Sequence, residues 1–144
     1  MDNIIFVNAL EGEFVIDRTV DFKSAMQQKV IGIGVGATLL LSETKDIVGI
    51  LFSVNMKYKE DVVLSYSVIL TFQVKGWSKE MDKRDKDAIK ELPEVSEMLD
   101  IAVGFLRGSM YVHTKGSPLE GLTIPVLSIS ELKNNLKVEK PGQK

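Results

Sequence analysis

The sequence predicts an α+β fold in which long antiparallel strands are covered by helices. Residues 48–58 and 62–74 alternate apolar and polar side chains on either side of a short break at residues 59–61, which is typical of a β-hairpin. Beyond Pro93, a residue favoured in a first helical turn, apolar residues recur at helical spacing as far as Met110. The second pattern indicates an amphipathic helix long enough to cover the sheet.

The alternation assigns a face to each side chain of the hairpin, because successive side chains of a strand point to opposite faces. One face is expected to hold the large apolar residues, namely Val48, Ile50, Phe52, Val54, Met56 and Tyr58 on the first strand and Val62, Leu64, Tyr66, Val68, Leu70, Phe72 and Val74 on the second. The opposite face of the second strand carries Ser65, Ser67, Thr71, Gln73 and Lys75. One face of the sheet is therefore expected in the core and the other in water.

The remaining elements follow from shorter patterns. Residues 4–17 are predicted to form one strand or two short ones, residues 22–28 a polar crossover, and residues 29–41 a strand with glycines on one face. The mixed-charge stretch at residues 78–87 is predicted to be a solvated loop or an exposed helical turn. Ser128 and Glu131 have the spacing of a capping box, which favours a short helix near the C-terminus. We expect one domain over residues 1–136 and a flexible polar tail over residues 137–144.

Composition excludes several classes of function. A formal net charge of -2 argues against nucleic-acid binding, which requires clustered Lys and Arg. The absence of cysteine excludes disulfides, thiolate catalysis and cysteine-based zinc sites. No apolar run approaches the roughly 20 residues that cross a bilayer, and no signal peptide is recognisable. We therefore expect a cytoplasmic protein with no membrane insertion.

No set of residues indicates catalysis or a cofactor. Gly32, Gly34 and Gly36 lack the final glycine and the Gly-Lys-Ser/Thr of phosphate loops. His113 is the sole histidine, and no nucleophile signature accompanies it, so a surface role is favoured over general-base chemistry. The sequence predicts a protein that is not an enzyme and binds neither cofactor nor metal, with catalysis by His113 a remote alternative.

The order of elements resembles the bacterial export chaperone SecB and its SecB-like relatives. In that family a loop of type Leu-x-Leu-x-Pro-Val-x-Phe follows the long helix, and this chain has Leu122-Thr123-Ile124-Pro125-Val126-Leu127-Ser128-Ile129 at that place. Arg107-Gly108-Ser109 near the end of the helix is similar to the small-residue turn of the family. The resemblance runs from about Asp46 to Leu136.

The resemblance implies a four-stranded antiparallel sheet with a long amphipathic helix and a short C-terminal helix. It also implies a homo-oligomer, a dimer or the family's homotetramer, that holds unfolded polypeptide segments in an apolar groove without ATP, in the service of protein export. The groove residues it implies are Phe22, Met26, Leu119, Leu122, Ile124, Leu127, Ile129 and Leu132. Two alternatives stay open: these residues only seal the core, or the protein is a SecB-fold adaptor for a dedicated partner, such as a toxin–antitoxin pair.

Overall fold

The computed structural model describes residues 3–28, 31–81, 85–117, 119 and 128–139. Within these residues the elements are β1 (Ile4–Glu11), β2 (Val15–Ile16), α1 (Phe22–Gln27), β3 (Ile31–Leu41), β4 (Ile47–Tyr58), β5 (Asp61–Val74), α2 (Trp77–Met81), α3 (Lys86–Lys90), α4 (Pro93–Thr114), α5 (Ile129–Asn134) and β6 (Lys137–Glu139). The α+β class, the hairpin and the long helix predicted from the sequence are all present.

The sheet has the order β1-β5-β4-β3-β6, and β2 continues alongside β5 beyond the end of β1. β1, β2, β3, β4 and β5 pair antiparallel, whereas β6 pairs parallel to β3. The predicted four-strand count is wrong, because the described residues form six strands. The predicted N-terminal strand is interrupted at Gly12. A side chain at this position would clash with β5, because a Cβ atom would lie 2.6 Å from Ser67 Oγ.

The core lies between one face of the sheet, here called the inner face, and α4. The β4 residues predicted for this face are buried from Val48 to Met56, and Tyr58 at the strand end is half-buried. α4 contributes Val95, Met98, Leu99, Ala102, Leu106 and Met110, all at most 2% exposed. Burial of apolar surface stabilises a fold by about 25 cal/mol per Å², so this two-layer contact is the main source of stability.

A β-bulge changes one predicted face assignment. Lys57 pairs with Val62 while Met56 pairs with Leu64, so Val63 is an extra residue in β5. Val63 is 3% exposed and Val62 is 55% exposed. The prediction that Val62 shares the inner face is therefore wrong, because strict alternation fails wherever a bulge inserts a residue.

The C-terminal segment is partly in the sheet. Lys137–Glu139, expected in a flexible tail, form β6 and pair with Thr38, Leu39 and Leu40 of β3. Val138 is 8% exposed and anchors the strand on the core. Residues 140–144 lie outside the described residues, and the single-domain assignment stays a prediction.

The bulge generates a matched pair of stability predictions. Val63→Ala should lower the free energy of unfolding by about 2 kcal/mol, because it removes two buried methyl groups and leaves a cavity. Val62→Ala should change the free energy by less than about 0.5 kcal/mol, as exposed substitutions usually do. Urea denaturation of the two variants measures both values, and equal losses would contradict the placement of the bulge.

Candidate functional site

The groove residues implied by the resemblance lie mostly in the core where the structure describes them. Phe22 is 1%, Leu119 is 3% and Leu132 is 8% exposed, and Ile129 is half-buried against the core. The Met26 side chain and Leu122, Ile124 and Leu127 lie outside the described residues. The peptide-binding role of these eight residues stays a prediction.

Exposed apolar side chains lie elsewhere, and one group of them is on the outer face of the sheet, opposite α4. This group, the outer set, consists of Ile5, Leu10, Val15 and Val62, each between 47% and 68% exposed. Their strand partners are Gln73, Ile69, Ser65 and Lys57, all on the outer face. The pairing of Leu10 with Ile69 and of Ile69 with Leu51 makes an apolar row across three strands. Local alternation does not predict this set, because strict alternation places Val62 on the inner face.

A second group lies on the helix side of the sheet, at the edge formed by β1. This group, the edge set, consists of Phe6 on β1 with Ile101 and Val112 on α4, between 40% and 65% exposed. The Phe6 ring stacks on Phe105 of α4 with centroids 6.4 Å apart and meets the edge of Phe72 at 5.5 Å. These contacts attach the edge strand to α4 while leaving an apolar surface in solvent.

A hollow of about 450 Å³ lies beside the C-terminal end of β1 and the exposed side of α4. Its lining consists of Glu11, Gly104, Phe105, Gly108, Ser109, Val112 and His113. No heavy atom beyond the local backbone lies within 4 Å of a Cβ built on Gly104 or Gly108. The hollow is thus an open, mainly apolar recess with a polar end.

The polar end is centred on the Glu11 carboxylate. Tyr66 Oη donates a hydrogen bond to Glu11 Oε1, and His113 Nε2 lies 2.9 Å from the same oxygen. The imidazole is stacked on Phe14, with centroids 5.0 Å apart and planes 9° from parallel. The hydrogen bond from Tyr66, and then that from His113, holds the pKa of Glu11 below its usual value. Burial, reinforced by the bond to Glu11, raises the pKa of Tyr66 to about 12.

This network fastens elements together. It joins the end of β1 to the last turns of α4 and to the middle of β5, because the Tyr66 hydroxyl and His113 Nε2 both meet one oxygen of Glu11. Glu11 and His113 are 102 residues apart in the chain, so no local pattern could have paired them.

The expectation that the protein is not an enzyme stays a prediction.

Comparisons with known proteins give limited similarity. No protein-family profile matches the sequence, and no curated protein matches it. Among solved structures, the chain is similar to the Mycobacterium tuberculosis SecB-like chaperone Rv1957 in complex with a ChAD peptide from the Rv1956 HigA1 antitoxin. That likeness has a TM-score of 0.43 and 12% sequence identity, and covers 88% of each chain.

In the part of the chain that the structure describes, no helix has both the length and the apolar character needed to cross a membrane.

The Glu11 network predicts a pH-dependent effect of Tyr66→Phe. Because the folded state lowers the pKa of Glu11 from 4.5, the network stabilises the fold above that pH and loses its contribution as pH falls through the folded pKa. Tyr66→Phe should therefore cost about 1 kcal/mol at neutral pH, discounted for the exposure of Glu11, and less below the folded pKa. Thermal unfolding from pH 3 to 7 measures the difference.

Tyr111→Phe is the matched control, since Tyr111 is 58% exposed and takes no part in the Glu11 network. Its unfolding curves should follow those of the wild type at every pH. A loss in Tyr66→Phe that stays the same as the pH falls through the folded pKa of Glu11 would contradict the assigned role of Glu11.

Proposed function

We propose that this protein is a SecB-like chaperone that binds unfolded polypeptide segments without ATP in the cytoplasm. The observation that carries this proposal is the outer set, four large apolar side chains left in solvent on one face of the sheet. They are spaced along β5 and joined by the apolar row of Leu10, Ile69 and Leu51, and an extended apolar surface of this kind is a site for contact with other proteins. A link to protein export is part of the proposal and rests on the sequence resemblance alone.

The surroundings of the outer set suit a partner of variable sequence. Leu51 and Ile69 extend it across the sheet, and between the apolar residues lie small groups such as Ser53, Ser67 and the exposed Gly36. Binding of an unfolded segment to this face would be favoured by about 25 cal/mol of free energy per Å² of apolar surface that it buries. Serine hydroxyls can donate hydrogen bonds to any peptide backbone, or accept them from it, whatever the side chains of the segment.

The groove implied by the resemblance is a second surface for the same function. Three of its described members, Phe22, Leu119 and Leu132, are buried in the single chain, so they contact a client only after a rearrangement. We therefore place first contact with the client on the outer set, which needs no rearrangement.

A SecB-fold adaptor, serving one partner such as an antitoxin, is the second candidate. The edge set favours it, because an apolar strand edge next to a helix is a surface typical of a fixed protein contact. An adaptor would form a stable assembly and leave aggregation of unrelated proteins unchanged.

The chaperone proposal predicts suppression of aggregation at stoichiometric ratios. Light scattering of a chemically denatured client diluted into buffer should fall when this protein is present, with no nucleotide added. The double variant Val15→Asn/Val62→Asn should lose at least half of the suppression, because it removes two exposed apolar contacts and no core residue.

Lys57→Asn is the matched control, since Lys57 is exposed directly opposite Val62 and its replacement removes a charge and adds the same amide. It should suppress aggregation as well as the wild type does. Unchanged scattering with wild-type protein present would reject the chaperone proposal and leave the adaptor.

A further inference from the structure

The strand β3 has a free edge over much of its length. On one side it pairs with β4 along all of Ile31–Leu41, whereas on the other side β6 pairs with Thr38, Leu39 and Leu40. Among the described residues, no strand pairs with that second side of residues 31–37. Every second residue there directs its backbone N–H and C=O groups away from the sheet, because bonding directions alternate along a strand paired antiparallel with β4. An unpaired stretch of β3 therefore continues directly into the stretch that β6 covers.

The composition of β3 suits pairing with a strand of variable sequence. Residues 31–41 include no charged residue and no proline, which are the usual protections of a free sheet edge. Gly32, Gly34 and Gly36 lie on the outer face, and a glycine-rich strand specifies pairing register only weakly. A Cβ atom built on Gly32 meets no atom within 4 Å, so there is space on this face for a neighbouring side chain. The free edge can therefore pair with segments of different sequence.

The strand β6 demonstrates that this edge accepts an added strand. Val138 is 8% exposed and faces the core, whereas Lys137 and Glu139 are exposed. The occupant thus has one β-branched apolar residue between two charged residues of opposite sign. Its contact is small, since it pairs over three residues, and parallel pairing is slightly less stable per residue than antiparallel pairing. We expect β6 to open locally well before the whole fold unfolds.

The attachment of α5 allows β6 to leave the sheet by itself. Lys90 Nζ donates a hydrogen bond to Asn134 O, and Lys133 Nζ lies 3.7 Å from Glu91 Oε2, so two polar contacts hold α5 on α3. Leu136, which directly precedes β6, is buried as well. Release of β6 therefore requires backbone rotation only after Leu136 and leaves α5 in its place.

The outer face connects the outer set with this part of the edge. The apolar row of Leu10, Ile69 and Leu51 continues onto β3, because Leu51 pairs with Thr38. Thr38 pairs in turn with Lys137, the first residue of β6. A client segment that lies along the row therefore reaches the β3 edge where β6 begins.

We infer that β6 is an internal occupant of a strand-binding edge, and that an extended client segment replaces it alongside β3. When a strand is added to a sheet edge, main-chain hydrogen bonds supply affinity whatever the sequence of the added strand. A client strand has residues 31–40 to pair with, whereas β6 pairs with three residues, so the longer pairing offsets the loss of the Val138 contact. The inference rests on the proposed function, and adds where the client backbone binds and which segment of the chain competes with it.

A reversible disulfide tests this competition, and the chain contains no cysteine to interfere. Thr38 and Lys137 are paired, and neighbouring strands lie about 4.8 Å apart, within the Cα range of disulfides. Oxidation of the double variant Thr38→Cys/Lys137→Cys should fix β6 on β3. The probe is a short fluorescein-labelled peptide in which valine alternates with lysine and glutamate, and fluorescence anisotropy measures its binding. Oxidation should weaken binding about tenfold or more, because the open state becomes rare, and reduction should restore it.

Ser53→Cys/Ser67→Cys is the matched control, since these residues pair between β4 and β5 on the same outer face. Its disulfide leaves β6 free, so oxidation should not change binding of the peptide.

Val138→Ser should have the opposite effect to the disulfide. It removes the apolar anchor of β6, so a larger fraction of molecules has the edge open and the peptide should bind severalfold more tightly. Glu139→Gln, at the exposed neighbouring position, should bind the peptide as the wild type does. Thermal unfolding of both variants verifies that the fold is retained.

Equal peptide binding before and after oxidation of Thr38→Cys/Lys137→Cys would overturn the inference, as would failure of that disulfide to form in the folded protein. An equal loss of binding in the oxidised control would also overturn it, because the effect would not depend on β6. If the disulfide blocks peptide binding while reduced protein does not suppress client aggregation, the proposed chaperone function fails and the competition at the edge stands. Suppression of aggregation that is the same in the oxidised and reduced forms would leave the function and reject the inference.

Discussion

Packing of α4 on the inner face of β4 and β5 is the contact on which the rest of the structure depends. Phe52, Ile50 and Leu70 are fully buried beneath the helix, as are Met98 and Leu99 on the helix itself. Because a one-residue slip of a strand would move this whole apolar set to the outer face, the burial fixes the register of the central strands. This register also determines which residues lie on the outer face and at the sheet edge. These two surfaces consist of the residues that do not pack against α4.

Bulges then determine which apolar residues are left outside. The extra residue in β5 directs Val63 into the core and Val62 into solvent. The extra residue in β1 divides its outward backbone groups into two sets that are out of step. One insertion thus adds an exposed apolar side chain to the outer face, and the other makes the free edge irregular, so that a regular strand cannot pair along all of it. Bulges at sheet ends and edges commonly have such specific roles.

The two exposed surfaces have different physical characters. On the outer face, apolar residues are spaced among serines and glycines. The edge combines directed backbone groups, a recess of about 450 Å³ and a helix with two exposed glycines, all of which demand a matching shape. The second surface suits a fixed protein contact, and the first suits the variable contact with unfolded segments that we propose. The Glu11 network supports this division, because it holds β1 and α4 in one relative position.

The sequence by itself determined the fold class, the hairpin, the helix that begins at Pro93 and the identity of most inner-face residues. These features follow from local periodicity, which depends only on neighbouring residues. Tertiary structure alone decided which strand lies at the edge, that residues 137–139 join the sheet, and that Glu11 meets Tyr66 and His113. It also decided that Phe22, Leu119 and Leu132 are buried rather than exposed. The physical reason is that pairing order, bulges and side-chain burial depend on contacts between residues far apart in the chain, and no local pattern encodes those contacts.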